Sequence, residues 1–310
     1  MKNTIYALGF FDGVHLGHQA LLSACRELAV KHGCSAGVVT FASHPDTLVK
    51  GNTPLLINSS RDREKLLREQ NGMEILVTLP FDLSMRSMPW ETFLDMLRKH
   101  YDAAGFVCGQ DFRFGHRGSG TAQALWEYCN RENLPCTIVP DQILNGIRVS
   151  STYIRQQLED GHMATAVKFL GHPHVLTGTV VHGKALGRTI GFPTANQYFP
   201  AERAIPETGV YATLCHTPYG LFPGVSNVGS HPTVDDFARV NCETYVIGMK
   251  GDLYRRRIKV EFLVKLRNEQ KFGSLEELVA AIERDAVKAK AYVEARLSRP
   301  LVIDTDTDFF

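Results

Sequence analysis

The hydrophobic pattern changes period halfway along the chain, and that change limits the available folds more than any other feature. In the first half, apolar runs at Thr4–Phe10, Ala36–Phe41, Glu74–Leu79, Gly105–Gly109 and Cys136–Pro140 are too continuous to leave one face wet. Such runs predict buried parallel strands. Between the first two, Leu21, Ala24, Cys25 and Leu28 recur at helical spacing and Gly33 follows, which completes a βαβ unit. Repeated, the unit predicts a doubly wound α/β parallel sheet, whose ligands sit beyond the carboxyl ends of its strands.

From about His174 the runs become strand-like and are separated by Gly and Pro: Val175–Val181, Gly209–His216, Asn241–Ile247 and Arg257–Val264. In the last, Ile258, Val260 and Phe262 alternate with Lys259 and Glu261, the pattern of a strand with one buried face. An antiparallel β-barrel is expected, closed by a C-terminal helix from Ser274. There Ser274 and Glu277 form a capping box and Leu275, Leu278, Val279, Ile282 and Ala286 form a stripe. The boundary is expected after a helix over Ser151–Leu170. That gives domains at 1–171 and 174–297, with 298–310 a disordered tail lacking apolar periodicity.

A length of 310 residues agrees with two domains at roughly 150 residues each. With 34 basic against 33 acidic side chains, the net charge of +1 argues against nucleic-acid or membrane-surface binding, which needs a basic excess. No apolar stretch approaches the roughly 20 residues of a membrane span, and Met1–Phe10 runs into Asp12 without a signal-peptide pattern. A cytoplasmic protein is expected. Seven cysteines without a Cys-x-x-Cys pair indicate neither a disulfide framework nor a zinc knuckle.

Directly after the first strand comes Gly9-Phe-Phe11-Asp-Gly13-Val-His15-Leu-Gly17-His18. Two imidazoles three residues apart at a helix start can donate to phosphate oxygens, and Gly17 removes a side chain that would block close approach. A zinc site lacks an evident third ligand, and a bare His-x-x-His pair is more often two surface histidines. The strand-to-helix position reverses that ordering in favour of nucleotidyl transfer. After the fourth strand comes Gly109-Gln-Asp111-Phe-Arg-Phe-Gly115. After the fifth, Arg148-Val-Ser-Ser151-Thr152-Tyr-Ile-Arg155 begins a helix, where Ser and Thr could be plain N-caps but Arg155 adds a fork suited to phosphate.

The first half resembles the adenylyltransferase module of bacterial bifunctional riboflavin kinase/FAD synthetases. The resemblance rests on Gly9–His18, Thr40-Phe-x-x-His44-Pro45, Gly109–Gly115 and Val149–Arg155. It implies a nucleotidyltransferase-like fold that binds ATP and passes AMP to FMN with loss of pyrophosphate. His15 and His18 would stabilise charge at the α-phosphate, while Ser151, Thr152 and Arg155 would hold the leaving phosphates. Gly9, Phe11, Gly17, Asp111 and Arg148 would complete the ATP site. Such chemistry is mostly positioning and electrostatics.

The second half opens with a run in which Gly178, Gly183, Gly187 and Gly191 bracket Lys184 and Arg188, ending Gly191-Phe-Pro-Thr194-Ala-Asn196. Spacing alone leaves a polyphosphate loop and two structural turns about even. The Gly-Phe-Pro-Thr-Ala-Asn run resembles the riboflavin kinase signature, as do Gly209–Ala212, Ser226–Thr233, Cys242–Thr244, Asp252–Tyr254 and Leu266–Phe272 in order. The resemblance implies ATP at Gly183, Lys184, Gly187 and Gly191, and Mg2+ on the oxygens of Thr194 and Asn196. Glu243 would be the base that takes a proton from the riboflavin 5′-hydroxyl. Without the resemblance it reads as a surface glutamate. Arg267 and Phe272 would cover flavin or nucleotide, and Phe272 could equally be core.

The resemblance covers about residues 1–297. Departures stand at Ala42-Ser43, His172, His174, Leu186, Gly248 and Arg255, the last where the family has Gly. The expected function is riboflavin to FMN and FMN to FAD, each with ATP and Mg2+. The competing readings are a paralogue keeping one activity and a non-catalytic flavin sensor.

Overall fold

The computed structural model describes residues 3–183, 186–200, 202–230 and 240–298. Lys184, the Pro232-Thr233 pair and the acidic tail lie outside the described residues. Two compact units divide the chain: residues up to 54 with 60–150, and residues 55–59 with 151 onward.

The first unit is built on β1 (Thr4–Leu8), α1 (Leu16–His32), β2 (Ser35–Phe41), β3 (Ile75–Leu79), β4 (Ala103–Gly109) and β5 (Cys136–Val139). The strands lie in the order β3-β2-β1-β4-β5, every pair parallel. All five apolar runs form strands; the three inner ones, β1, β2 and β4, are buried between helices, while the edge strands β3 and β5 are partly exposed. α1 puts Leu21, Leu22, Cys25 and Ala29 on one face of the sheet. Helices Trp90–Tyr101 and Ala122–Arg131 cover the other with Phe93, Leu94, Leu97, Leu125, Tyr128 and Cys129. At about 1.5–3 kcal/mol for each large apolar side chain fully buried, these two layers dominate the stability of the unit.

In the second unit, residues 55–59 are followed by α2 (Ser151–Glu159) and α3 (Met163–Leu170), where one continuous helix was expected. Gly161, at φ 75°, separates them. α3 packs on α2 and on two strands of the following barrel, so both helices group with it, ahead of the junction expected at 171–174.

The barrel strands are β6 (His174–Thr179), β7 (Thr194–Phe199), β8 (Gly209–Thr217), β9 (Gly220–Ser230), β10 (Val240–Val246) and β11 (Arg257–Arg267). Their order is β6-β11-β8-β9-β10-β7, all antiparallel, and a bridge from Val181 to Asn196 brings the two edges together into a near-closed barrel. β7 and β9 were not among the strands read from the sequence. α4 (Leu275–Leu297) packs across β8 and β9. It starts as expected: the Ser274 side chain accepts from the Glu277 amide at 3.2 Å, and Glu277 accepts in return from the Gly273 amide at 2.9 Å.

Candidate active site

In the first unit the chain leaves β1 through a turn in which Phe11 (φ 60°) and Val14 (φ 41°) take the left-handed conformation. Both are buried, and burial holds a backbone that costs of order 1–3 kcal/mol at each such residue. The turn delivers His15 as the N-cap of α1: its Nδ1 accepts from the His18 amide at 3.3 Å. The His15 and His18 rings stack at 3.6 Å between centroids, with Phe11 edge-on to His18.

A Cβ on Gly17 would stand 3.2 Å from the His15 ring, so the close approach that Gly17 permits here is that of the imidazole. Burial, reinforced by His15 and Arg63, holds the His18 imidazole well below its usual range, and the ring is neutral at physiological pH.

Arg63 was not singled out in the sequence. It is buried, stacks over Phe10 at 4.1 Å and donates to the Phe41 carbonyl at 2.9 Å. Asp111 and Arg148 come together as an ion pair, and Arg148 Nε also reaches Asp141 at 2.9 Å. At the carboxyl ends of the strands a cavity of about 330 Å³ is walled by Phe41, Phe81, Met85, Phe112 and Phe114, with Arg113 and Arg117 also on its wall. Phe41, Phe112 and Phe114 belong to the Thr40–Pro45 and Gly109–Gly115 stretches, whereas Phe81 and Met85 belong to no motif read from the sequence.

Ser151, Thr152 and Arg155 open α2 in the second unit, and Arg155 Nε donates to the Leu55 carbonyl at 2.7 Å.

In the barrel, the glycine run makes a tight turn in which the Phe192 amide bonds the Gly187 carbonyl at 2.7 Å and Gly191 takes φ 85°. Two glycines are required by contact: a Cβ on Gly187 would lie 2.3 Å from the Phe192 carbonyl oxygen, and one on Gly183 2.6 Å from the Asn196 side chain. Thr194 and Asn196 sit two apart on β7, and so on one face. Asn196 Nδ2 lies 3.4 Å from Thr194 Oγ1. Asn196 Oδ1 is buried without a hydrogen-bond partner among the described residues.

Two cavities meet here. The smaller, about 110 Å³, is lined by Gly183, Arg188, Thr194, Asn196, Asp252 and Tyr254. The larger, about 620 Å³, is lined by Thr194, Asn227, Glu243, Arg267, Phe272 and Asp285 among others. Thr194 belongs to both. Glu243 lies in β10, its strand neighbours Cys242 and Thr244 buried on the opposite face. Arg267 is stacked over Phe272 at 5.6 Å and tied by Nε to buried Asp285 of α4 at 2.9 Å. Phe272 therefore lines the cavity. Arg255 takes φ 62°, which accounts for the glycine expected there.

The Thr194 hydroxyl and the amide oxygen of Asn196, the latter unpartnered among the described residues, are hard oxygens of the kind a divalent cation of the magnesium type takes. Among the described residues no group of three or more His, Cys, Asp or Glu side chains forms a metal site, and no helix is long and apolar enough to cross a membrane.

Residues 1–153 match the family described as FAD synthetase, and residues 170–293 the family described as riboflavin kinase. The chain is 37% identical over 298 residues to the bifunctional riboflavin kinase/FMN adenylyltransferase of Escherichia coli (strain K12), covering 94% of this chain and 93% of that protein. Against the protein of the same name from Bacillus subtilis (strain 168) it is 33% identical over 293 residues, covering 93% and 92%. Among solved structures, the crystal structure described as a macrolide-efflux protein from Streptococcus pneumoniae aligns with a TM-score of 0.84 at 31% identity. The alignment covers 93% of this chain and 94% of that one.

Proposed function

Because the chain belongs to the bacterial family of bifunctional riboflavin kinase/FMN adenylyltransferases and carries both family domains, we propose that it makes FAD from riboflavin in two ATP-consuming steps. Residues 174–297 phosphorylate riboflavin to FMN and release ADP. Residues 1–171 join AMP to FMN and release pyrophosphate. Both steps use ATP and a divalent metal, here Mg2+, and take place in the cytoplasm.

The observation that carries the kinase reading is Thr194 on the wall common to a small cavity, also lined by Arg188, Asn196 and Asp252, and a large one that also holds Glu243. A phosphate chain in the first and a flavin in the second would meet at that wall. Glu243 takes the proton from the 5′-hydroxyl, whose oxygen bonds the γ-phosphorus as the bond to ADP breaks. Thr194 and Asn196 would hold the metal, which when bound would supply charge to offset that of the phosphate oxygens. Gly183, Lys184, Gly187 and Gly191 cradle the phosphates, and Arg267 with Phe272 covers the flavin.

For adenylyl transfer, the stacked His15–His18 pair meets charge building on the α-phosphorus as an FMN phosphate oxygen attacks it and pyrophosphate leaves. Gly9, Phe11, Gly17, Asp111 and Arg148 shape the ATP site, and Ser151, Thr152 and Arg155 hold the leaving phosphates. The aromatic walls of the first unit's cavity suit the flavin ring of FMN, and Arg113 and Arg117 suit its phosphate. Incubating the protein with riboflavin and Mg-ATP and separating the flavins by chromatography tests the reading. FMN and then FAD are expected. Unchanged riboflavin overturns the kinase half, and FMN that never becomes FAD overturns the other.

A further inference from the structure

We infer that Asn241 is a positioning residue for the phosphorylation step, holding the Glu243 carboxylate in the orientation that receives the substrate proton. The inference rests on Glu243 being the base.

Asn241 and Glu243 are two apart on β10, so their side chains leave the same face of the sheet. Asn241 Nδ2 donates to Glu243 Oε1 at 3.0 Å. β10 is paired on both sides, with β7 and β9, so the two Cα positions are fixed by ladders. A short, two-torsion side chain on such a frame can hold a carboxylate to a few tenths of an ångström, the precision that proton transfer needs.

Burial sharpens the argument. Asn241 is 3% exposed, and its Oδ1 is buried with no hydrogen-bond partner among the described residues. An orphaned buried acceptor costs roughly 1–3 kcal/mol, so packing alone would favour an apolar side chain there. The amide orientation is set by chemistry: only the NH2 group can face a carboxylate oxygen, and turning it would put two acceptors together. The side chain accepts that cost in return for one hydrogen bond, and that bond is to the base.

Asn241 does not line the flavin cavity, whereas Glu243 does. Its effect therefore falls on the rate of the chemical step rather than on substrate binding.

The test is a double-mutant cycle on FMN formation, with kcat and both KM values measured for Asn241→Ala, Glu243→Gln and the pair. Asn241→Ala is expected to lower kcat on the order of 10- to 100-fold, as for other small misplacements of a reacting group, with KM for riboflavin and ATP within about twofold. In the Glu243→Gln background it should have no further effect, because a residue that acts through another is silent once that one is gone. Asn241→Asp, equal in shape but without the donor, should show the same loss and covers the case in which the alanine variant does not fold. A wild-type kcat for both Asn241 variants, or the same fold-loss in both backgrounds, overturns the positioning role while leaving Glu243 as base. A wild-type kcat for Glu243→Gln overturns the base assignment and this inference with it.

Discussion

Glu243 on β10 and Asn196 on β7 stand directly opposite each other in antiparallel register. One lines the larger cavity and the other the smaller, so the proposed proton acceptor and metal ligand are cross-strand neighbours. A single amide substitution at Glu243 should remove the acceptor and leave the strand pairing intact. Glu243→Gln is expected to slow FMN formation by about 10²–10⁴-fold, the usual worth of a general base. The same variant, given FMN and Mg-ATP, should make FAD at the normal rate. Normal FMN production would remove Glu243 from the mechanism.

Gly183 is the next point of leverage, because a Cβ there would stand 2.6 Å from the Asn196 side chain. Gly183→Ala should push Asn196 off its position beside Thr194 and weaken Mg-ATP binding. KM for ATP in FMN formation is expected to rise at least tenfold, with FAD formation from FMN unchanged. An unaltered KM would show that the close approach has no functional consequence.

The stacked histidines give a pH prediction for the other unit. His18 is held well below its ordinary range, chiefly by burial, so the folded protein keeps it neutral where a free imidazole is half protonated. The pH profile of FAD formation from FMN should therefore keep its shape in His18→Ala, because this ring does not titrate near the ordinary histidine value of about 6.5. His18→Ala should lower that rate by about 10²-fold or more if the imidazole contacts the developing charge. A rate profile falling through pH 6.5 that becomes flat in the variant would contradict the neutral ring.

His174 tests the barrel by stability. Burial, with Arg203 and His172 adding to it, lowers this imidazole to about 3. Between its ordinary value and that one, the unfolded chain binds a proton that the folded chain refuses. Stability is therefore full above about pH 6.5 and falls as the pH drops through the window, by an amount that can reach about 5 kcal/mol at its lower end. Urea melts at pH 7 and pH 5 should show His174→Phe losing less stability on acidification than the wild type. An equal loss would mean that His174 is accessible to protons in the folded state.

The parts of this molecule that could be read from sequence are those where burial and residue type agree. The inner parallel strands β1, β2 and β4 are apolar because both faces are covered. His15 and His18 were legible because their motif sits at a strand-to-helix turn. β7 was missed because Asn196 and Gln197 are polar yet buried, so the strand carries no apolar alternation. β9 was missed because Gly220, Pro223, Gly224, Asn227 and Gly229 read as turn residues, whereas in the sheet Gly224 makes room for Cys215 and Thr213. Arg63 carried no signal: a charged side chain in a short helix reads as solvated, and its partners Phe10 and the Phe41 carbonyl are distant in sequence. The aromatic cavity was not legible as a cavity, since Phe41, Phe81 and Phe112 come from the ends of three different strands and only the fold brings them together. Asn241 beside Glu243 was in plain view, but the donor relationship depends on strand pairing that fixes both side chains on one face.

The central claim is that one chain cuts ATP at two different phosphorus atoms. The most direct measurement supplies riboflavin with ATP labelled at the α-phosphorus in one reaction and at the γ-phosphorus in another, and follows label into each flavin. The account predicts that FMN takes label only from the γ position, and that FAD takes it from both, one phosphate from each kind of attack. FAD labelled from the α position alone, or FMN labelled from the α position, would contradict it.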